Sequence, residues 1–156
     1  TASDAAAQDY FGRTVSVSGD GDTVIVGAHY NDADGNNSGS AYIFTRDGST
    51  WSQQQKIWAS DTAAEDHFGW SVSISEDGNT VAIGAYGNDD DASLSGSAYI
   101  FTRDGSTWLE KQKIRASDGA MHDNFGWSVS ISSDSGTALV GAIGVDSKGA
   151  AYIFTG

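Results

Sequence analysis

The strongest constraint on this chain is that it repeats itself. Residues 1–57 align with residues 58–114 without a gap, and 37 of those 57 positions are identical. Residues 115–156 follow as a third copy, with a four-residue deletion before Gly149 and a match that continues through Ala151-Tyr152-Ile153-Phe154. The centre of each copy is the most regular part: Phe11–Ala28 (FGRTVSVSGDGDTVIVGA), Phe68–Ala85 (FGWSVSISEDGNTVAIGA) and Phe125–Ala142 (FGWSVSISSDSGTALVGA). A unit of this size cannot bury its apolar faces alone. It must stack on its neighbours, as propeller blades, solenoid coils and arrays do.

Each copy reads as a run of short strands. Thr14–Ser18 alternates apolar and hydroxyl residues, so one side packs and the other meets something polar. Gly19-Asp20-Gly21-Asp22 then closes a tight hairpin, as Asp77-Gly78 does in the second copy. Thr23–Ala28 and Ser40–Thr45 are apolar on both sides, which places them between two layers. Arg46-Asp47-Gly48-Ser49 turns the chain into a more polar fourth strand, Trp51–Ile57, that reads as an outer edge. Twenty glycines, no proline, no cysteine and no helical period complete an all-β reading of 11 strands. Four-stranded antiparallel units with two-sided middle strands fit β-propeller blades: residues 1–57, 58–114 and 115–156, the last lacking its fourth strand.

The units resemble the FG-GAP repeat of integrin α-subunit propellers. Phe11-Gly12, Phe68-Gly69 and Phe125-Gly126 match the first half of that signature, and Gly27-Ala28, Gly84-Ala85 and Gly141-Ala142 match the second, without the proline that often follows. The resemblance implies an extracellular binding or adhesion module that recognises protein or glycan on one propeller face, not an enzyme. Integrin-like blades hold calcium in an Asp-rich hairpin between the first two strands. Here Asp20 and Asp22, Asp77 and Asn79, and Asp134 sit in turns too short for that pattern, so the site is not carried over.

A different loop offers oxygen ligands at alternate positions. Between the second and third strands stand Asp32, Asp34 and Asn36 in the first copy and Asp89 and Asp91 in the second. Flexible, oxygen-rich loops of this kind suit calcium better than magnesium, and these five residues are the expected metal ligands. The competing reading is a solvated Asn/Asp turn. Asp4, Asp9, Asp61, Asp66, Asp118 and Asp123 repeat in the linkers and are expected to cap turn amides. His29 aligns with Tyr86 and Ile143, His67 with Tyr10 and Asn124, and His122 with Gln8 and Glu65, so the histidines do not converge and all three are expected at the surface. Trp70 and Trp127 share parity with the apolar side of their strands and are expected between blades, with sugar stacking as the alternative. Asn36-Asn37-Ser38 is a glycosylation sequon, in line with an extracellular protein.

The net charge of −13 excludes a nucleic-acid partner, which would need a basic footprint. No apolar run approaches the roughly 20 residues of a membrane helix. Two functions stay open. One is the adhesion module. The other is a structural repeat that self-associates into an oligomer or extracellular filament, because apolar blade faces demand cover.

Overall fold

Eleven strands form three antiparallel sheets in the computed structural model, which describes every residue except Thr1 and Ala5. The first sheet holds β1 (Val15–Val17), β2 (Thr23–Ala28), β3 (Ser40–Asp47) and β4 (Thr50–Ile57) in chain order. The second repeats it with β5 (Ser71–Ile74), β6 (Thr80–Ala85), β7 (Ser97–Asp104) and β8 (Thr107–Ile114). The third has β9 (Phe125–Ile131), β10 (Thr137–Ala142) and β11 (Ala150–Thr155), with one 3-10 turn at Val145–Ser147 before β11. The strands are propeller-like blades, as the periodicity predicts, and no α-helix occurs among the described residues.

Strand register gives each blade two chemically distinct faces. In the first blade Val15, Val17, Val24, Val26, Tyr42 and Phe44 share one face, while Ile25, Ala41, Ile43 and Ile57 share the other. The blades stack so that the second kind of face meets the first kind of the next blade. Ile25, Ala41, Ile43 and Ile57 pack on Val72, Ile74, Val81, Ile83, Tyr99 and Phe101 in one buried core. A second core repeats the arrangement, with Ala98, Ile100 and Ile114 against Val129, Ala138, Val140, Tyr152 and Phe154.

The Phe-Gly and Gly-Ala pairs explain themselves at these junctions. Phe68 is fully buried, donates its amide to the Ser38 carbonyl (2.9 Å) and bridges Gly39 in parallel. A Cβ on Gly27 would overlap the Gly69 carbonyl, one on Gly69 would overlap Ser40, and one on Gly84 would overlap Gly126. Two backbones approach closely there, and only glycine permits it. Gly141, with no blade beyond it in the structure, meets only its own Ser128. The hydroxyl side of the first strand also finds its polar partner in the next blade. Ser16 Oγ accepts from the Ile74 amide (3.2 Å) and Ser73 Oγ from the Ile131 amide (3.1 Å).

The linker aspartates cap turns, as their repetition suggests. Asp9, Asp66 and Asp123 accept from the amides of Ala6, Ala63 and Ala120 (3.1, 2.8 and 2.8 Å). Asp4, Asp61 and Asp118 each accept from the hydroxyl of the tyrosine in their own blade's third strand, Tyr42, Tyr99 and Tyr152, at 2.9 Å. Together these contacts anchor each linker to the sheet that follows it.

Candidate functional site

The linkers and the β2–β3-type loops meet at one end of the blades, and four positions per blade deliver side chains there. They are the residue before Phe-Gly, the residue after it, and the two residues after Gly-Ala. In the first blade these are Tyr10, Arg13, His29 and Tyr30; in the second, His67, Trp70, Tyr86 and Gly87; in the third, Asn124, Trp127, Ile143 and Gly144. Backbone pairing fixes the delivery. Glu65 and His67 donate amides to the carbonyls of Asn36 and Asn37 (2.9 and 3.2 Å), so the linker into blade two lies along the loop of blade one. Both residues hold positive φ, 68° and 57°, and inter-blade pairing offsets that strain.

The result is a continuous aromatic band across three blades. Tyr10 contacts Tyr30 at 5.2 Å between ring centroids, Tyr30 contacts His67 at 5.1 Å, and His67 stacks on Tyr86 at 5.0 Å with the planes 12° apart. Tyr86 meets Trp127 at 5.0 Å, and Trp70 meets both Trp127 (4.8 Å) and His29 (4.8 Å). The Arg13 guanidinium lies 3.7 Å above the Trp70 ring. Trp70 and Trp127 thus pack across blade junctions, while their rings stay half-buried and form part of the band.

Two histidines overturn the surface expectation. His29 is 2% exposed and His67 is 7% exposed; only His122 is at the surface. Their slots are ring-packing positions, which the alignment of His29 with Tyr86 and Ile143 already signals: a site that takes Tyr and Ile is apolar. Burial, then Arg13 and His67, pushes the His29 imidazole down to about 4. Burial also holds His67 below the usual imidazole range, against the opposing pull of the His29 carbonyl and Glu65. Both rings are therefore neutral at pH 7 and act as aromatics. The buried His29 Nδ1 has no hydrogen-bond partner.

Beside the band opens a cavity of about 440 Å³. Tyr10, Tyr30 and His67 supply its rings, and Gln8, Asp32, Asn36, Asn37 and Glu65 supply its polar rim. Glu65 accepts from Asn37 Nδ2 (3.1 Å) and Asn36 Nδ2 (2.7 Å), and these bonds keep its carboxyl below the ordinary range. Sequence reading missed this site because it is assembled from four short stretches, none of which is a motif by itself.

The expected metal ligands lie in the neighbouring loops, where the structure gives each carboxylate another task. Asp32 Oδ1 accepts the Asn37 amide (2.8 Å) and Asp89 Oδ1 accepts the Leu94 amide (2.6 Å), the same turn in two copies. Asn36 is bonded to Glu65, the Asp34 amide donates to Ser38 Oγ (3.3 Å), and Asp91 pairs with Arg115 (2.7 Å). Asp90, next to them, pairs with Lys113. Among the described residues no group of three or more His, Cys, Asp or Glu stands close enough to hold a metal ion. Calcium needs six or more converging oxygens, and Asp32, Asp34, Asn36, Asp89 and Asp91 do not converge, so these loops do not fit it.

Blades of this topology with an aromatic loop face define a repeat module of binding or structural type. The profile of the FG-GAP repeat matches residues 1–44, 51–101 and 108–154. The chain belongs to the FG-GAP repeat family. No curated protein matches it. No helix among the described residues is long and apolar enough to cross a membrane.

Proposed function

We propose that this chain is an extracellular recognition module of integrin-like type, which binds a protein or glycan ligand through the aromatic band and is not an enzyme. One observation carries the reading: a half-exposed row of rings crosses three blades and ends in a cavity rimmed by amides and carboxylates. Flat apolar rings with a polar rim suit sugar faces and amphipathic side chains alike. The titratable groups point the same way. The two histidines are held neutral and Glu65 is tied to two asparagines, which suits recognition better than proton transfer. The reading does not require calcium.

The test is a binding screen of the chain against immobilised glycans and matrix proteins, with Tyr10→Ala and Tyr30→Ala run in parallel. Tyr10 is 56% exposed, so its loss leaves the fold intact. Ligands held by the native chain and released by both variants support the reading. Equal retention by the variants, or no ligand at all, contradicts it.

A second reading rests on the outer faces. Val15 and Val17 are 64% and 58% exposed, whereas their equivalents Val72 and Ile74 are 8% and 7% exposed. Leu139 and Ile153, on the opposite face of the third blade, are also open. These are the same two kinds of face that pack at both internal junctions, which supports head-to-tail stacking of copies as a structural role. Sedimentation analysis across a concentration series separates the two: growth in mass with concentration supports stacking, and a monomer throughout opposes it.

A further inference from the structure

The three copies let one junction serve as a template for another. Where the second blade meets the first, β8 lies against β4, and Trp108 is the anchor, 2% exposed. The Gln55 amide clamps its backbone from both sides: Oε1 accepts from the Trp108 amide (2.7 Å) and Nε2 donates to the Trp108 carbonyl (3.1 Å). The indole Nε1 donates to Gln54 Oε1 (2.8 Å). On its other side β8 pairs with β7, and Lys113 reaches Asp61 (2.5 Å) while Glu110 accepts from the Ser60 amide and hydroxyl (2.8 and 3.0 Å). Lys56 with Asp4, and Gln53 with the Ser3 amide, repeat the last two contacts in the first blade. Only about 150 Å³ of space remains at this filled junction.

At the next junction the receiving groups are present and the strand is not. β11 is hydrogen-bonded to β10 and has no partner on its other edge among the described residues. Gln112, the counterpart of Gln55, is exposed and lines two cavities, of about 580 and 520 Å³, that flank Phe154 on either side. Ser117, the counterpart of Ser60, lines the first of these. Asp118 holds the Tyr152 hydroxyl and, among the described residues, has no lysine beside it. Phe154 is half-buried where Phe101 is 4% exposed.

The geometry points to the β11 edge and the adjoining groove as an acceptor for an extended strand from another polypeptide, of the pattern Thr-Trp-x-Gln/Glu-x-x-Lys-Ile. Following the β7–β8 register, the lysine stands opposite Tyr152 and reaches Asp118, the glutamate stands opposite Phe154 and takes the Ser117 amide, and the tryptophan enters the groove under the Gln112 amide. The indole hydrogen bond is not reproduced, because Lys111 replaces Gln54 and cannot accept. Strand addition of this kind draws affinity from main-chain bonds and specificity from side-chain pockets. A net positive strand is also favoured by a chain of charge −13.

The probe is a labelled peptide with the sequence of Thr107–Ile114, TWLEKQKI, titrated into the 156-residue chain and followed by fluorescence anisotropy. A second arm replaces Gly156 with the segment Arg103–Ile114, so that the same strand is presented at high local concentration. Saturable binding below about 1 mM is expected, weakened roughly tenfold or more when alanine replaces the peptide tryptophan, and weakened also by Gln112→Ala in the protein. Hydrogen exchange should slow in β11 and not in β1. The grafted chain should melt at a higher temperature than the same graft with alanine for tryptophan. A scrambled peptide that binds equally well, protection outside β11, or no binding together with a graft indifferent to its tryptophan would overturn the proposal.

Discussion

His29 ties the stability of this protein to pH in a way that can be isolated. Its imidazole is held at about 4 in the folded chain, against an ordinary value of 6.5. As pH falls through 6.5 the unfolded chain takes a proton there and the folded chain does not. The stabilisation from neutral His29 is thus complete above 6.5 and is lost progressively down to about 4. With roughly 1.4 kcal/mol per pH unit, the loss between pH 7 and pH 5 comes to about 2 kcal/mol. His67, lowered mainly by burial, adds a loss of the same sign. The perturbation is His29→Tyr, chosen because Tyr86 already occupies the equivalent slot in the second blade. Urea unfolding of both proteins at the two pH values gives the difference directly. The carboxylates held low, such as Asp4 and Asp61, lose their protons well below pH 5 and contribute equally to both. The variant should lose about 2 kcal/mol less than the native chain on acidification. Identical pH dependence in the two proteins would refute the reasoning.

Gly84→Ala should destabilise by about 3 kcal/mol or more, because its Cβ would overlap the Gly126 backbone, whereas Gly141→Ala meets only a movable Ser128 hydroxyl and should change stability by less than about 1 kcal/mol. Thermal or urea melts of the pair measure both. Trp108→Ala should cost about 3–5 kcal/mol by emptying a buried slot and orphaning Gln54, while Trp51→Ala, at a 44% exposed position, should stay within about 1 kcal/mol. Differential scanning in about 1 mM calcium and in excess chelator should give melting temperatures within about 2 °C, since the carboxylates of Asp32, Asp89 and Asp91 are already bonded within the protein. A larger calcium-dependent rise would restore those loops as a metal site.

The fold was legible because its determinants are local and repeated. Alternation in Thr14–Ser18, two-sided apolarity in Thr23–Ala28 and the glycine turns each specify a strand or its end, and observed bounds differ by one or two residues. The cap role of Asp9, Asp66 and Asp123 was legible for the same reason: a contact made three times in register marks scaffold. The band was not legible, because it consists of the positions that differ between copies. Tyr10 against His67, Arg13 against Trp70, and His29 against Tyr86 break the repeat, and only stacking of the blades brings them together. The acidic loops misled in the opposite direction. Ligand-like spacing of Asp32 and Asp34 says nothing of the amide at Asn37 that Asp32 caps, or of Arg115, which is 24 residues from its partner Asp91.

The most direct test of the recognition surface is chemical-shift mapping by NMR on the isotopically labelled chain, with the strongest ligand from the glycan and matrix-protein screen added stepwise. The account predicts that saturating shifts cluster at Tyr10, Tyr30, His67, Trp70, Tyr86 and Trp127, with the cavity residues Asn36 and Asn37 following at the same concentration. Shifts confined to the outer blade faces around Val15, Val17 and Ile153, with the aromatic band unmoved, would contradict it.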